Sequence, residues 1–105
     1  MLPETIRDLI HRVLNNGIDT QASVRIAAFE HAAQTKEPSP LPSELRPWVT
    51  KVTSHSYKTL DRDVDELKRA GYSGGAIFEL TVASAVGAGA ARYKRGLEAL
   101  EEALR

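Results

Sequence analysis

The sequence predicts an all-α protein, a helical bundle of about five helices with a long central helix at its C-terminal end. Apolar residues recur at the spacing of one helix face along most of the chain, and no segment alternates as a half-buried strand does. The chain has 105 residues, of which 42% are hydrophobic and 27% charged. That length and balance are typical of one globular domain, so we expect a single domain over residues 1–105.

Two helices are predicted in the N-terminal third. Residues 4–15 carry apolar side chains on one stripe, and Asn16-Gly17 should end this helix in the left-handed conformation. The second helix should begin after a cap at Asp19 or Thr20 and continue to about Gln34. The expected inward residues are Ile6, Leu9, Ile10, Val13 and Leu14 in the first helix and Ala22, Ile26, Phe29 and Ala33 in the second.

The middle of the chain predicts a loop and two further helices. Residues 35–47 hold four of the five prolines, which favours an irregular loop within the domain. A third helix is expected from residue 43 or 46 to residue 57, and a fourth over residues 61–70, ended by Gly71. Their expected inward residues are Leu45, Trp48, Val49 and Val52, then Val64 and Leu67.

The last predicted helix is capped by Ser73 and reaches about Leu104. Its segment 76–91 contains one charged residue, Glu79, and is shorter than the about 20 apolar residues that span a membrane. We therefore expect a buried central helix and no membrane partner. Small residues four apart would let another backbone approach closely, namely Ala83, Gly87 and Ala91, and also Ala85 and Gly89. That backbone belongs either to the same chain or to a second subunit. A helix of about 45 Å exceeds the width of such a domain, so we expect a homo-oligomer through this helix.

The charge balance excludes several kinds of partner. The chain has 14 Lys plus Arg and 14 Asp plus Glu, with both signs spread evenly. Nucleic acids and anionic membrane surfaces are bound by a surplus of basic residues, so we expect neither as a partner. The first residues lack a cationic stretch followed by an apolar run, so we expect no signal peptide and a cytoplasmic location.

Three segments carry a family resemblance: 59–64 (TLDRDV), 67–73 (LKRAGYS) and 77–83 (IFELTVA), followed by Arg92 and Leu97. Over residues 41–101 the chain resembles the carboxymuconolactone decarboxylase and alkylhydroperoxidase-D-like superfamily. The resemblance implies an alkylhydroperoxidase-D-like bundle and oligomeric assembly. The peroxidase branch of that family depends on a Cys-x-x-Cys pair followed by a His. This chain contains no cysteine, so a thiol peroxidase is excluded.

The first candidate catalytic residue is His55. Lys51, His55 and Lys58 lie at i, i+4 and i+7, so one helix face would gather an imidazole and two amines. Neighbouring cations disfavour the protonated imidazole, which would let His55 act as a base near neutral pH. The alternative is a solvated helix face with an incidental histidine. Lys51, together with Tyr57, is also a candidate substrate-binding residue.

The second candidate is Glu79, a lone carboxylate on an apolar helix. It is either a general acid with a raised pKa, or a structural carboxylate bonded to Arg92, to Tyr57 or to the cap of another helix. Arg92, at the end of the apolar segment, is a third candidate substrate-binding residue. The spacing of His11, His31 and His55 resembles no metal-ligand motif, so we expect neither a metal nor another cofactor.

Two functional classes therefore remain open. The first is a catalytically silent oligomeric scaffold or binder of a small organic ligand. The alternative is a cofactor-free acid–base enzyme of the decarboxylase type, acting on a small organic acid through His55 and Glu79.

Overall fold

The computed structural model describes residues 2–55 and 61–105, without the side chain of His55. These residues confirm the all-α prediction, because they form helices and no strand. The helices are α1 (Glu4–Asn15), α2 (Ala22–Ala33), a 3₁₀ turn (Ser43–Leu45), α3 (Arg46–His55), α4 (Asp61–Arg69) and α5 (Gly74–Ala103). The predicted end of the third helix at Tyr57 lies outside the described residues.

The core forms where α2 crosses α5. Gly87 of α5 is buried directly against the backbone of Phe29 in α2, so close that a Cβ at residue 87 would overlap the Phe29 carbonyl oxygen. Ala83, on the same side of α5 as Gly87, is fully buried, whereas Gly89 faces open space. The close approach predicted at Gly87 is therefore made within one chain and not between subunits.

The inward face of α2 differs from the prediction. Its buried residues are Arg25, Ala27, Ala28 and Ala32. The predicted inward residues Ala22, Ile26, Phe29 and Ala33 are only half-buried. Because α2 lies so close to α5, alanine side chains fit between the two helices, and the larger side chains are displaced to the edges of the contact.

Both predictions for the connection between α1 and α2 are wrong. Asn16 has a φ of −115°, so α1 ends without a left-handed residue. The residue that caps α2 is Gln21, without a side-chain hydrogen bond, and not Asp19 or Thr20. The loop around Thr20 is instead held by a side chain from α5.

The irregular part of the proline-rich segment ends at residue 42, which agrees with a third helix that begins near residue 43 or 46. Ser43–Leu45 and Arg46 are helical, and Pro47 fits the first turn of α3, where no backbone N–H is needed. Ser39 anchors the loop to α2: its backbone N–H donates to the Glu30 carboxylate at 2.7 Å. Hydrogen bonds from the side chain and the backbone N–H of Ser39 lower the pKa of Glu30.

The turn between α4 and α5 is as predicted. Gly71 has a φ of 104°, the left-handed conformation that ends a helix without steric cost. Its N–H and that of Tyr72 donate to the last carbonyls of α4, those of Lys68 and Leu67, which is a Schellman motif. The Ser73 hydroxyl then caps α5 by accepting the N–H of Ala76 at 3.0 Å.

Gly87→Ala tests the close crossing of α2 and α5. We expect a loss of about 1–3 kcal/mol in unfolding free energy, because the added methyl must push the Phe29 backbone away. Gly89→Ala is the matched control, and should leave stability unchanged or raise it by up to about 1 kcal/mol through helix propensity. Thermal melts followed by circular dichroism measure both. Equal melting temperatures for the two variants would contradict the intrachain position of Gly87.

Candidate functional site

Glu79 binds the loop between α1 and α2. Its Oε2 accepts the backbone N–H groups of Ile18 and Asp19 at 2.8 and 2.9 Å. Its Oε1 accepts the Thr20 hydroxyl at 2.6 Å. A carboxylate with three donors is well compensated for leaving water, so Glu79 takes the structural role that the sequence left open. Among the described residues its hydrogen-bond partners belong to this loop, and Arg92 is not one of them.

Arg25 lies beneath this loop, 3% exposed. Its Nε donates to the Leu14 carbonyl at 2.9 Å, and its Nη1 donates to the carbonyl and to the hydroxyl of Thr20. The Nη1 atom is 3.8 Å from Glu79 Oε1, close enough for an ion pair but not for a hydrogen bond. The guanidinium thus joins the end of α1 to the loop and adds positive charge near the Glu79 carboxylate.

These contacts control the charge of Glu79. The Thr20 hydroxyl and the loop N–H groups lower the pKa of Glu79 from 4.5 to about 2, against an opposing effect of burial. The expectation of a raised pKa is therefore wrong: the carboxyl is ionised at neutral pH and holds no proton to donate.

Gly17 makes room for this group of charges. A Cβ at residue 17 would lie 2.6 Å from Glu79 Oε1 and closer still to the Arg25 guanidinium. The glycine is needed because the two charged side chains pass against its backbone, and not because of its own backbone conformation.

The other predicted site residues lie elsewhere. Lys51 pairs with Asp63 of α4 at 2.5 Å, and Arg92 donates to the carbonyl of Thr53 at 2.7 Å. Arg92 is thirteen residues beyond Glu79 on α5, about 20 Å along the helix. The side chains of His55 and Tyr57 lie outside the described part of the chain, so their predicted roles remain predictions.

Sequence reasoning missed Arg25 and Thr20 as partners of Glu79. The signal for Arg25 was an arginine next to the apolar run 26–29 of the second helix, since a buried cation requires acceptors. No local pattern indicates Thr20, which lies fifty-nine residues before Glu79.

Beside Glu79 the surface combines apolar and charged side chains. A cavity of about 370 Å³ opens between the loop and α5, bordered by Ile18, Phe78 and Val82 and also by Arg12 and Asp19. Ile18 is 92% exposed and Phe78 69% exposed. A second, almost wholly apolar groove lies between α1 and α5, lined by Ile6, Leu9, Ile10, Val86, Gly89, Ala90 and Tyr93.

Among the described helices, α5 alone is long and apolar enough to cross a membrane. Of its most apolar stretch, 39% is buried inside the molecule.

No protein-family model, no curated protein and no solved structure matches this chain.

Replacement of Glu79 by Gln tests the structural role of the carboxylate. Near neutral pH we expect a loss of about 2 kcal/mol in unfolding free energy, because charged hydrogen bonds are lost. A lowered pKa in the folded state stabilises the fold above about pH 4.5, and that stabilisation is lost as the pH falls towards 2. The gap between wild type and variant should therefore close as the pH is lowered.

Thermal melts of both proteins across this pH range provide the measurement. Glu37→Gln, in the exposed loop after α2, is the control and should follow wild type throughout. A Glu79→Gln variant as stable as wild type at neutral pH would contradict the assignment.

Proposed function

We propose that this protein is a catalytically silent, homo-oligomeric helical scaffold whose contact surface lies along α5. One observation carries the proposal: an uncharged stripe runs the length of α5 and is largely uncovered by the rest of the chain. At helical spacing it contains Phe78, Val82, Ala85, Val86, Gly89, Tyr93, Gly96, Leu97 and Leu100, and it continues to Leu104, the residue that caps α5. Contiguous exposed apolar surface of this extent is typical of protein contacts.

The total surface of the molecule supports the same proposal. Its solvent-accessible area is 7019 Å², whereas a folded monomer of 11.5 kDa exposes about 5,800 Å². The excess, roughly 1,200 Å², is comparable with the area of about 800 Å² that each partner buries in a standard interface. The radius of gyration of 14.5 Å also exceeds the about 13 Å expected for a compact domain.

The hydrogen bonding and the ionisation of Glu79 argue against the function as an acid–base enzyme. Its two oxygens accept three hydrogen bonds from the loop, and its lowered pKa keeps it ionised. A general acid needs a proton and free access to a substrate. The apolar groove between α1 and α5 is instead suited to an apolar partner or a small ligand.

We also propose that the chain is a cysteine-free member of the carboxymuconolactone decarboxylase and alkylhydroperoxidase-D-like superfamily. Support comes from the sequence of α4, a glycine-containing turn, Ser73 as cap and the long helix α5. The resemblance implies oligomeric assembly, which agrees with the proposed scaffold.

We infer a cytoplasmic, soluble protein in which α5 is a core helix rather than a membrane span. Seven of its residues are buried by the chain itself, from Ala76 to Ala88. Its Glu79 carboxylate is bound to a loop that leads directly into α2, and an ionic group of this kind is costly in lipid.

Size-exclusion chromatography with light scattering tests the scaffold proposal. We expect the wild type to have the mass of a dimer or a larger assembly. Leu100→Glu should shift the mass towards the monomer, because it places a charge on the stripe. The matched control Ala99→Glu is exposed and about 100° away around the helix, and should leave the assembly intact. A wild type that is monomeric at every concentration would refute the proposal.

The absence of cysteine allows a separate test of chemistry. We expect no dithiol-dependent reduction of hydroperoxides above the rate in buffer, because the chain has no thiolate to form the covalent intermediate. A coupled assay with an organic hydroperoxide measures this rate. Turnover that scales with protein concentration would require a different catalytic group and would refute the silent assignment.

A further inference from the structure

The last part of α5 extends beyond the bundle. From Arg92 to Arg105 every residue is exposed except Leu97, which is half-buried. Four large apolar side chains follow one another here at spacings of four, three and four residues: Tyr93, Leu97, Leu100 and Leu104. Leu100 and Leu104 are 55% and 77% exposed. We call these four residues the C-terminal seam.

We propose that the C-terminal seam pairs with the same seam of a second copy, antiparallel, as a two-heptad coiled coil. This inference rests on the proposed homo-oligomer and specifies its contact. The alternating spacing of four and three is the a/d pattern of a coiled coil, with Leu97 and Leu104 at a and Tyr93 and Leu100 at d. In an antiparallel pair each a residue meets a d residue, so Leu97 faces the partner's Leu100 and Tyr93 faces the partner's Leu104.

The charges beside the seam match this orientation. Lys94 and Glu101 both follow a d residue, so both occupy e positions. In an antiparallel coil e positions face e positions, which brings Lys94 to the partner's Glu101 and Glu101 to the partner's Lys94. Two opposite-charge pairs therefore form by symmetry, and no like charges are opposed.

A parallel pair would not use these charges. In that orientation e positions face g positions, which are occupied by Gly96 and Ala103. A Cβ at residue 96 would meet only open space in the single chain, so a partner backbone has room beside the seam.

Helix α1 limits the seam on the side of the bundle. N-terminal to Tyr93, Ile6 and Ile10 of α1 line the groove against α5, so a second copy of α5 would pair from Tyr93 onwards.

The antiparallel arrangement keeps the two bundles apart. The twofold axis would pass close to residues 98 and 99, so each bundle would lie beyond the C-terminal end of the other α5. A parallel pair would place both bundles at the same end, side by side. The excess surface of the single chain is large enough to supply this contact.

Introduced cysteines test the orientation, since the chain has none of its own. In the antiparallel pair residue 93 meets residue 104 of the other copy. The two copies of residue 104 are then separated by the length of eleven helical residues, about 16 Å. The double variant Tyr93→Cys/Leu104→Cys should be captured as a covalent dimer by a short bis-maleimide. The single variant Leu104→Cys should remain a monomer on a denaturing gel.

Charge reversal provides a second, independent test. Lys94→Glu alone and Glu101→Lys alone should each weaken dimerisation about fivefold or more, because each opposes like charges at both pairs. The combined variant Lys94→Glu/Glu101→Lys should restore the wild-type dissociation constant in analytical ultracentrifugation. Glu102→Lys, exposed on another face of α5, is the control and should leave it unchanged.

The outcomes separate this inference from the scaffold proposal. A wild type that is monomeric throughout would refute both. If the wild type is a dimer and the single variant Leu104→Cys is cross-linked, the antiparallel seam is refuted. The scaffold proposal is not affected by that result. A dimer that neither cysteine variant traps, and that charge reversal does not affect, would also refute the seam and assign the contact to another part of α5.

Discussion

Helices α2 and α5 cross so closely that the backbone of Gly87 lies directly against that of Phe29. A chain of this length buries little apolar surface, and the alanines of the described core all lie on the two crossing helices, α2 and α5. Such a core is stable only if backbones approach until the small side chains touch. Gly87 permits this approach against the carbonyl of Phe29, and the small residues along the same faces of both helices extend it.

Glu79 and Arg25 hold the loop that precedes α2, and so position the N-terminal end of α2 against α5. Glu79 holds the loop that leads into α2, and Arg25 joins the same loop to the end of α1. Three helices are therefore positioned by two charged side chains of opposite sign. Arg25 is buried and Glu79 half-buried, and each charge is acceptable there because hydrogen bonds with the backbone compensate its loss of water.

Helix α5 consequently has two parts with different physical roles. Its first half is the centre of the domain, covered on one side by α2 and α3, with Trp48 donating to Thr81 at 2.8 Å. Its second half carries apolar residues that the described part of the chain covers only partly, and Leu100 is 55% exposed. A thirty-residue helix on so small a domain necessarily extends past its own core, and the exposed part is where a partner gains most from binding.

The fold class, the order of the helices, the turn at Gly71, the cap at Ser73 and the exclusion of thiol chemistry could all be predicted from the amino-acid sequence. These depend on local spacing, on backbone conformation or on the presence of a residue type. Three features became visible only in the folded chain: the face of α2 that is buried, the contact of Gly87 within the chain, and Glu79 as an ionised ligand of a loop. They could not be predicted because they depend on atoms distant in sequence, such as the carbonyl of Phe29 for Gly87 and the hydroxyl of Thr20 for Glu79. Helical periodicity indicates that a helix face is apolar, or that a charged residue lies on an apolar face. It does not give the distance between two helices or the residue that a side chain contacts.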